Sequence, residues 1–353
     1  RESVDSSKTL VKVSADVVLF ATSAETFTKV FELSTDSLQA RALVSENTRI
    51  IPEYIPPNLS VLTSVPNSSM VLMGTGDEKL YVFKFFNTGN ERNFAGWAKW
   101  QMSTPIKMVS FAHDTGYFVG FNESSEVVLS RMELIDDPET SPIRAFNASF
   151  TPRLDHYIYA SQTSVNNNYG PSTARITLPN GFKVDGKPAF LVATYEGTET
   201  FYISPTIGTA NDGSCYIDVD NALLSSQYII GLGYTMKVEL PSFFVKSGED
   251  IRADRRNTPM VENLYIDLYF SGRYEATVSK TGYTDRTVDL IMSRSDIYLA
   301  NSAAIEDFST RVIPIYSRGD LAKVTVTAPD PLPASFTSYS WEGHYSTRGI
   351  ASR

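Results

Sequence analysis

Leu80-Tyr81-Val82-Phe83-Lys84-Phe85-Phe86 and, after a ten-residue polar connection, Trp97-Ala98-Lys99-Trp100-Gln101-Met102 read as two strands joined by a loop. Aromatic and β-branched residues crowd the first run, and Thr88-Gly89-Asn90 supplies turn chemistry that lets the second run fold back on it. Taken alone, the stretch is a hairpin whose aromatics fill a core. Its surroundings make it more informative.

The hairpin sits inside a repeat of apolar run, short polar turn and second apolar run. One copy is Met70-Val71-Leu72-Met73, the turn Gly74-Thr75-Gly76-Asp77, and Leu80-Tyr81-Val82-Phe83. Upstream, Val17-Val18-Leu19-Phe20 passes through Ser23-Ala24-Glu25 to Thr28-Lys29-Val30-Phe31-Glu32-Leu33. Downstream, Tyr117-Phe118-Val119-Gly120-Phe121 passes through Asn122-Glu123-Ser124-Ser125 to Val127-Val128-Leu129-Ser130-Arg131. Val18, Val71 and Val119 are 53 and 48 residues apart. Strand-bearing periods of about 40 to 50 residues are what β-propeller blades produce. The plainer reading is an antiparallel β domain whose hairpins fall at a chance spacing.

Three blades cannot close, because propellers need about four to eight. Residue 1 is Arg, with no initiator Met or secretory signal before it, so the chain is expected to be the C-terminal portion of something longer.

A length of 353 residues leaves room for two or three domains with their own cores. The 12% aromatic content, including 19 Tyr and 20 Phe, favours an all-β protein over helical layers. No apolar run approaches the roughly 18 residues of a membrane-spanning helix. One cysteine, Cys215, excludes an internal disulfide framework and most thiolate metal sites, and it reads as a small buried hydrophobe. The net charge of −9 argues against a surface that grips nucleic acid, which needs clustered Lys and Arg. Residues 1–150 hold 13 basic and 18 acidic side chains, 151–240 hold 5 and 8, and 241–353 hold 13 and 14, so no segment is basic. DNA near this chain would slide past rather than bind.

The fold expected is all-β, with a partial β-propeller of about three blades followed by β-sandwich or barrel-like domains. The blades fill residues 1–150, with Asp136-Asp137-Pro138-Glu139-Thr140-Ser141-Pro142 as a solvated connector and a last strand from Ile143 to Thr151. A compact β domain spans 151–240. It holds a long polar loop, Ser161 to Ser172, of a length that is usually functional or mobile, and turns at Asn180-Gly181, Asp185-Gly186 and Asn211-Asp212-Gly213. The run Tyr228 to Leu240 closes it. A C-terminal β domain spans 241–353. It opens on a charged stretch with Arg252, Arg255 and Arg256 and continues through strands such as Val324-Thr325-Val326-Thr327, whose alternation marks a sheet with one wet face.

Catalytic signals are sparse. The three histidines are His113 beside Asp114, His156 beside Asp155, and His344 near Glu342, and there is no G-x-S-x-G nucleophile elbow. Asp218 and Asp220, two apart on a strand, point the same way and could serve a glycosidase, as could Asp136 and Asp137, but exposed strand acids do this without catalysis. Asn211-Asp212-Gly213-Ser214 lacks the alternating ligands of a calcium loop, and Gly74 to Lys79 lacks the spacing of a phosphate loop. No catalytic, cofactor or metal residue is assigned.

Three segments carry a family resemblance. Leu80 to Met102, with Trp97-Ala98-Lys99-Trp100, resembles a stretch of the tail tubular protein B, or nozzle protein, family of short-tailed phages. Tyr228-Ile229-Ile230-Gly231-Leu232-Gly233-Tyr234-Thr235-Met236, followed by Pro241-Ser242-Phe243-Phe244-Val245, is similar to the family's sequence before its C-terminal region. Ser340-Trp341-Glu342-Gly343-His344-Tyr345-Ser346-Thr347-Arg348 is similar to its C-terminus. Gly233 stands where the family has Pro, and the basic cluster at the extreme end is reduced to Arg348 and Arg353.

The resemblance implies a structural virion protein of the phage tail, without catalytic residues or cofactor. It implies a homo-hexameric ring below the portal and adaptor, a channel through which genomic DNA leaves without specific binding, and tail fibres attached near the adaptor junction. A cyclic ring needs two different contact faces per subunit, so Trp97, Trp100 and Trp341 are candidate interface or core aromatics. The net charge adds the expectation that channel-facing side chains are net acidic. From another class, the aromatic-rich β composition and the 161–172 loop are compatible with a polysaccharide-binding or depolymerising tail protein. A cellular propeller scaffold is a third reading, expected to have homologous blades upstream but no ring.

Overall fold

A computed structural model describes residues 9–14, 17–23, 26–36, 41–49, 51, 53–65, 68–88, 91–121, 125–134, 152–167, 169–179, 182, 188–195, 199–211, 213–221, 228–246, 253–254, 258–290 and 306–345. Among them the chain is all-β, with one 3-10 turn at Ala160–Gln162, and divides into two compact units, Arg1–Asp136 and Asp137–Arg353. The connector at Asp136-Asp137, the strand expected over 143–151, the turns Asn180-Gly181 and Asp185-Gly186, Arg252, Arg255, Arg256, Arg348 and Arg353 lie outside the described residues.

The first unit contains β1 (Thr9–Ser14), β2 (Val17–Ser23), β3 (Thr28–Asp36), β4 (Arg41–Glu46), β5 (Val61–Val65), β6 (Met70–Gly74), β7 (Lys79–Thr88), β8 (Glu91–Gln101), β9 (Ile106–Ala112), β10 (Thr115–Phe121) and β11 (Val127–Glu133). They form three antiparallel sheets, ordered β1-β2-β3-β4, β5-β6-β7-β8 and β11-β10-β9. The sheets stack face to face, with β5–β8 in the middle. Val71, Met73, Tyr81, Phe83 and Phe85 pack against Leu19, Ala21 and Val30 of the first sheet. From the opposite face, Val61, Val65, Met70, Leu72, Leu80 and Val82 pack against Ile106, Val109 and Phe118 of the third. A strand covered on both sides has no wet face to alternate with, which is why Leu80-Tyr81-Val82-Phe83 is continuously apolar and buried. The three copies of the repeat fall in three different sheets, with Val18 in β2, Val71 in β6 and Val119 in β10.

The ten-residue connection read from the sequence is instead mostly strand. The β7–β8 ladder continues through Phe86↔Phe94 and Asn87↔Arg92 to Thr88↔Glu91. This outer part of the hairpin leaves the stack, and Phe86 and Phe94 are both exposed. Backbone pairing holds it, and ladder hydrogen bonds leave no hydrophobic pattern. Strands β5 and β9 also lie outside the runs the repeat marked.

The second unit holds two sandwiches. In the first, β12 (Asp155–Tyr159), β13 (Ser164–Asn166), β14 (Thr173–Thr177), β15 (Ala189–Tyr195), β16 (Glu199–Ile203), β17 (Ile207–Thr209), β18 (Cys215–Asp220) and β19 (Tyr228–Leu232) make sheets β12-β19-β15-β16 and β13-β14-β18-β17. Their core holds Ala174, Ile176, Leu191, Ile217, Tyr228 and Ile230, and Cys215 packs half-buried at its margin.

In the second sandwich, β20 (Met236–Glu239), β21 (Val245–Lys246), β22 (Ala253–Asp254), β23 (Met260–Ser271), β24 (Tyr274–Lys280), β25 (Arg286–Leu290), β26 (Glu306–Arg318), β27 (Ala322–Ala328) and β28 (Phe336–His344) follow. Sheet β20-β27-β24-β25 packs on sheet β26-β23-β28 around Leu264, Ile266, Leu268, Tyr274, Ile313 and Val326, with β21-β22 as a separate ribbon. The Tyr228–Leu240 run is thus divided: Tyr228–Leu232 serves one sandwich, and Met236–Glu239 pairs with β27 of the next. Among the described residues these are open sheets packed in pairs, and none closes into a barrel.

Candidate functional surfaces

The three tryptophans are each half-buried against a core. Trp97, on β8, lies 4.6 Å from Phe83 between ring centroids, and its Nε1 donates to the Asn47 carbonyl at 3.3 Å. Trp100, on the other face of β8, packs against the core between the second and third sheets. Trp341, on edge strand β28, meets the edge of Phe243 at 6.2 Å in the last sandwich.

The titratable groups do not converge. His113 sits at φ 53° in the β9–β10 turn, where a left-handed residue is needed to reverse the chain. His156 lies 5.3 Å from the Phe182 ring, and His344 Nδ1 is 3.0 Å from Glu262 Oε1 on an exposed edge. Among the described residues, no three His, Cys, Asp or Glu side chains are grouped as a metal would require. Asp218 and Asp220 do share the outer face of β18, but Asp218 is occupied by Arg175. Hydrogen bonds also lower other carboxyls. Lys237 and Lys323 hold Glu239 down to about 2, Ser338 and Thr310 lower Asp267, and Asn263 and Tyr265 lower Glu342. A glycosidase general acid needs the opposite displacement.

The most built polar feature is on sheet β13-β14-β18-β17. Arg175 donates from Nε and Nη2 to the two oxygens of Asp218, directly opposite it on β18, both at 2.7 Å. Its guanidinium carbon lies 3.6 Å from the ring centroid of Tyr169 and 3.5 Å from that of Tyr216. The hydrogen bond to Asp218 raises the Arg175 pKa and lowers that of Asp218. Tyr169 lies in the connection between β13 and β14; the segment 161–172, expected as one long loop, instead carries the 3-10 turn and strand β13. Further bonds from the Asn221 backbone N–H to Ser172 O and from Asn221 Nδ2 to Asn167 O fasten the β13–β14 connection to the sheet. Tyr216 in turn covers Gly208 so closely that a Cβ there would lie 2.4 Å from its ring. The arrangement is a clamp, in which a planar cation stacks between two rings and is held in register by a carboxylate.

Several sheet faces are apolar yet open. On β9–β11, Met108, Tyr117, Phe121, Val127 and Leu129 are exposed on one side. On β23 and β26, Tyr269, Phe308, Val312 and Tyr316 are exposed, with Tyr269 directly opposite Phe308. Among the described residues, sheet β26-β23-β28 also has two long edges without a further strand, thirteen and nine residues. Sequence patterning does not show which of these faces lack a cover, because a face covered by another subunit and a face inside a domain have the same alternation.

A family model described as "Bacteriophage nozzle protein" matches residues 11–351. No curated protein matches the sequence. Among solved structures, the chain aligns with an exo-β-1,3-galactanase from Phanerochaete chrysosporium with galactose, at 8% identity over 94% of this chain and 96% of that one. It also aligns with a single-residue variant of that enzyme with β-1,3-galactotriose, at 10% identity over 95% of each. Both have a TM-score of 0.23, too low to bear on fold or function.

Proposed function

The chain belongs to the bacteriophage nozzle protein family, and from that premise we propose that it forms part of the wall of a tail tube through which the genome leaves the virion. The family is structural and its place is the virion tail. The match over residues 11–351 carries the reading. In it, the stacked sheets of the first unit are blades of a propeller completed elsewhere, and the three regions 1–150, 151–240 and 241–353 are successive wall modules. Copies of the chain, six by resemblance, meet head to tail around the channel, with an adaptor above and fibres attached near it.

Two physical features support a wall. Open apolar sheet faces suit a subunit that touches neighbours on different sides. An acidic balance suits a passage for a polyanion, because neutral or negative walls do not retain phosphate. The reading includes a lumen whose charged side chains are net acidic and no catalytic step. Electron microscopy of tails purified from virions tests it: a hollow six-fold ring containing this chain is expected. Absence of the chain from the ring, or release of reducing ends from envelope polysaccharide by the purified protein, would contradict it.

A further inference from the structure

We propose that the free edge of β28 in one copy of the chain pairs with the free edge of β26 in the next copy around the ring. Sheet β26-β23-β28 then continues from copy to copy as a closed barrel, and its inner face lines the passage. This deepens the ring of identical copies proposed above, on which it rests, by naming the lining.

The two edges match in direction and length. β26 and β28 are each antiparallel to β23, so they run the same way. Copies related by rotation about an axis along the strands therefore bring them together as a parallel pair. On β26, Pro314 lacks an N–H and its carbonyl accepts from Arg286, which marks the side of the strand that faces away from β23. Alternate residues point their peptide groups the same way, so those of Phe308, Thr310 and Val312 are open to a partner within residues 306–313. Strand β28 offers nine residues, without the Pro or Lys that commonly blunts an edge. Among the described residues no further strand lies on either edge.

Packing decides which face turns inward. Leu264, Ile266, Leu268 and Ile313 pack under sheet β20-β27-β24-β25, so only the other face can border a passage. Over residues 263–269, with the positions opposite on β26 and β28, that open face carries Asp267 and Glu342 and no Lys or Arg. Both carboxylates are tied to the sheet: Thr310 and Ser338 donate to Asp267, and Asn263 donates to Glu342. Tyr265, Tyr269, Phe308 and Val312 stand beside them. A wall of rings and fixed negative charge offers phosphate no cation to hold.

The dimensions suit a duplex. Six copies of a three-stranded sheet make eighteen strands. Spaced about 4.8 Å apart and tilted by roughly 35–45°, they close at a backbone diameter of roughly 35 Å. A lining of side chains about 5 Å deep leaves roughly 25 Å, enough for a double helix.

Hydrogen exchange in the isolated 353-residue chain and in intact tails tests the pairing. The outward amides of residues 308–313 and of Phe336–His344 should exchange fast in the isolated chain and at least tenfold more slowly in tails. Central strand β23, paired on both sides already, should change less than twofold. Density in the tail should show β28 of each copy parallel to β26 of its neighbour, with Tyr265, Asp267 and Tyr269 facing the passage. Val312→Pro removes an outward N–H that no strand of the same copy uses, so the isolated variant should melt as the parent does and enter tails at least tenfold less often. Equal exchange of the edges in both samples, normal incorporation of Val312→Pro, or a strand from a fibre, an adaptor or the same copy on either edge would overturn the inference. If Val312→Pro does not fold, exchange and density decide. Copies that surround the passage with these edges apart would sink this inference and leave the wall reading standing, whereas a chain absent from the wall would end both.

Discussion

Arg175 and Asp218 face each other across β14 and β18 with both donor–acceptor distances at 2.7 Å, and this pair fixes the guanidinium between Tyr169 and Tyr216. The stack ties the β13–β14 connection to its sheet. Arg175→Lys keeps the charge and removes the planar fork, so it should release Tyr169. Limited proteolysis within 161–172 should accelerate several-fold, while the Arg175→Lys circular dichroism spectrum remains that of the parent.

Phe83 and Phe86 separate packing from exposure on one strand. Phe83 is buried against Trp97 and Phe85, whereas Phe86 is 58% exposed. Phe83→Ala should cost about 3–5 kcal/mol in urea unfolding of the first unit. Phe86→Ala should stay within about 0.5 kcal/mol.

Gly343 of β28 lies opposite Val261 of β23, where a side chain would meet the neighbouring backbone. A Cβ there would lie 2.1 Å from the Met260 carbonyl oxygen and 3.0 Å from the Val261 Cα, both backbone atoms that cannot rotate away. Gly343→Ala should therefore loosen the Met260–His344 end of the pairing. Hydrogen exchange in Trp341–His344 should increase, with a loss of roughly 1–3 kcal/mol.

Acid should destabilise the protein in a defined direction. Glu239, between Lys237 and Lys323, has its pKa lowered from 4.5 to about 2, and Asp218, Asp267 and Glu342 are also lowered. A carboxyl depressed by folding adds stability that is complete above its unfolded pKa and is lost as pH falls toward its folded value. The melting temperature should thus be insensitive to these groups near neutrality, decline below about pH 4.5, and continue to fall toward pH 2. Glu239→Gln should flatten part of that decline.

Much of the architecture was legible because burial leaves a pattern. Leu80-Tyr81-Val82-Phe83 announced a core strand, which the structure covers on both faces, and the spacing of Val18, Val71 and Val119 announced separate sheets. The outer β7–β8 hairpin was not legible, since its ladder through Asn87↔Arg92 rests on backbone hydrogen bonds between polar residues. Nor was the Arg175 clamp. Its four members lie at 169, 175, 216 and 218, and only folding places β14 beside β18. Trp97, Trp100 and Trp341 were marked by residue type alone; the structure shows what each packs against and leaves part of each ring open.

A density map of the intact phage tail, with this chain fitted into it, tests the tube-wall role most directly. The account predicts several identical copies encircling an open passage, each contributing its sheets to the wall and more acidic than basic side chains to the lumen. A single copy per tail, or copies placed only in fibres away from the passage, would contradict it.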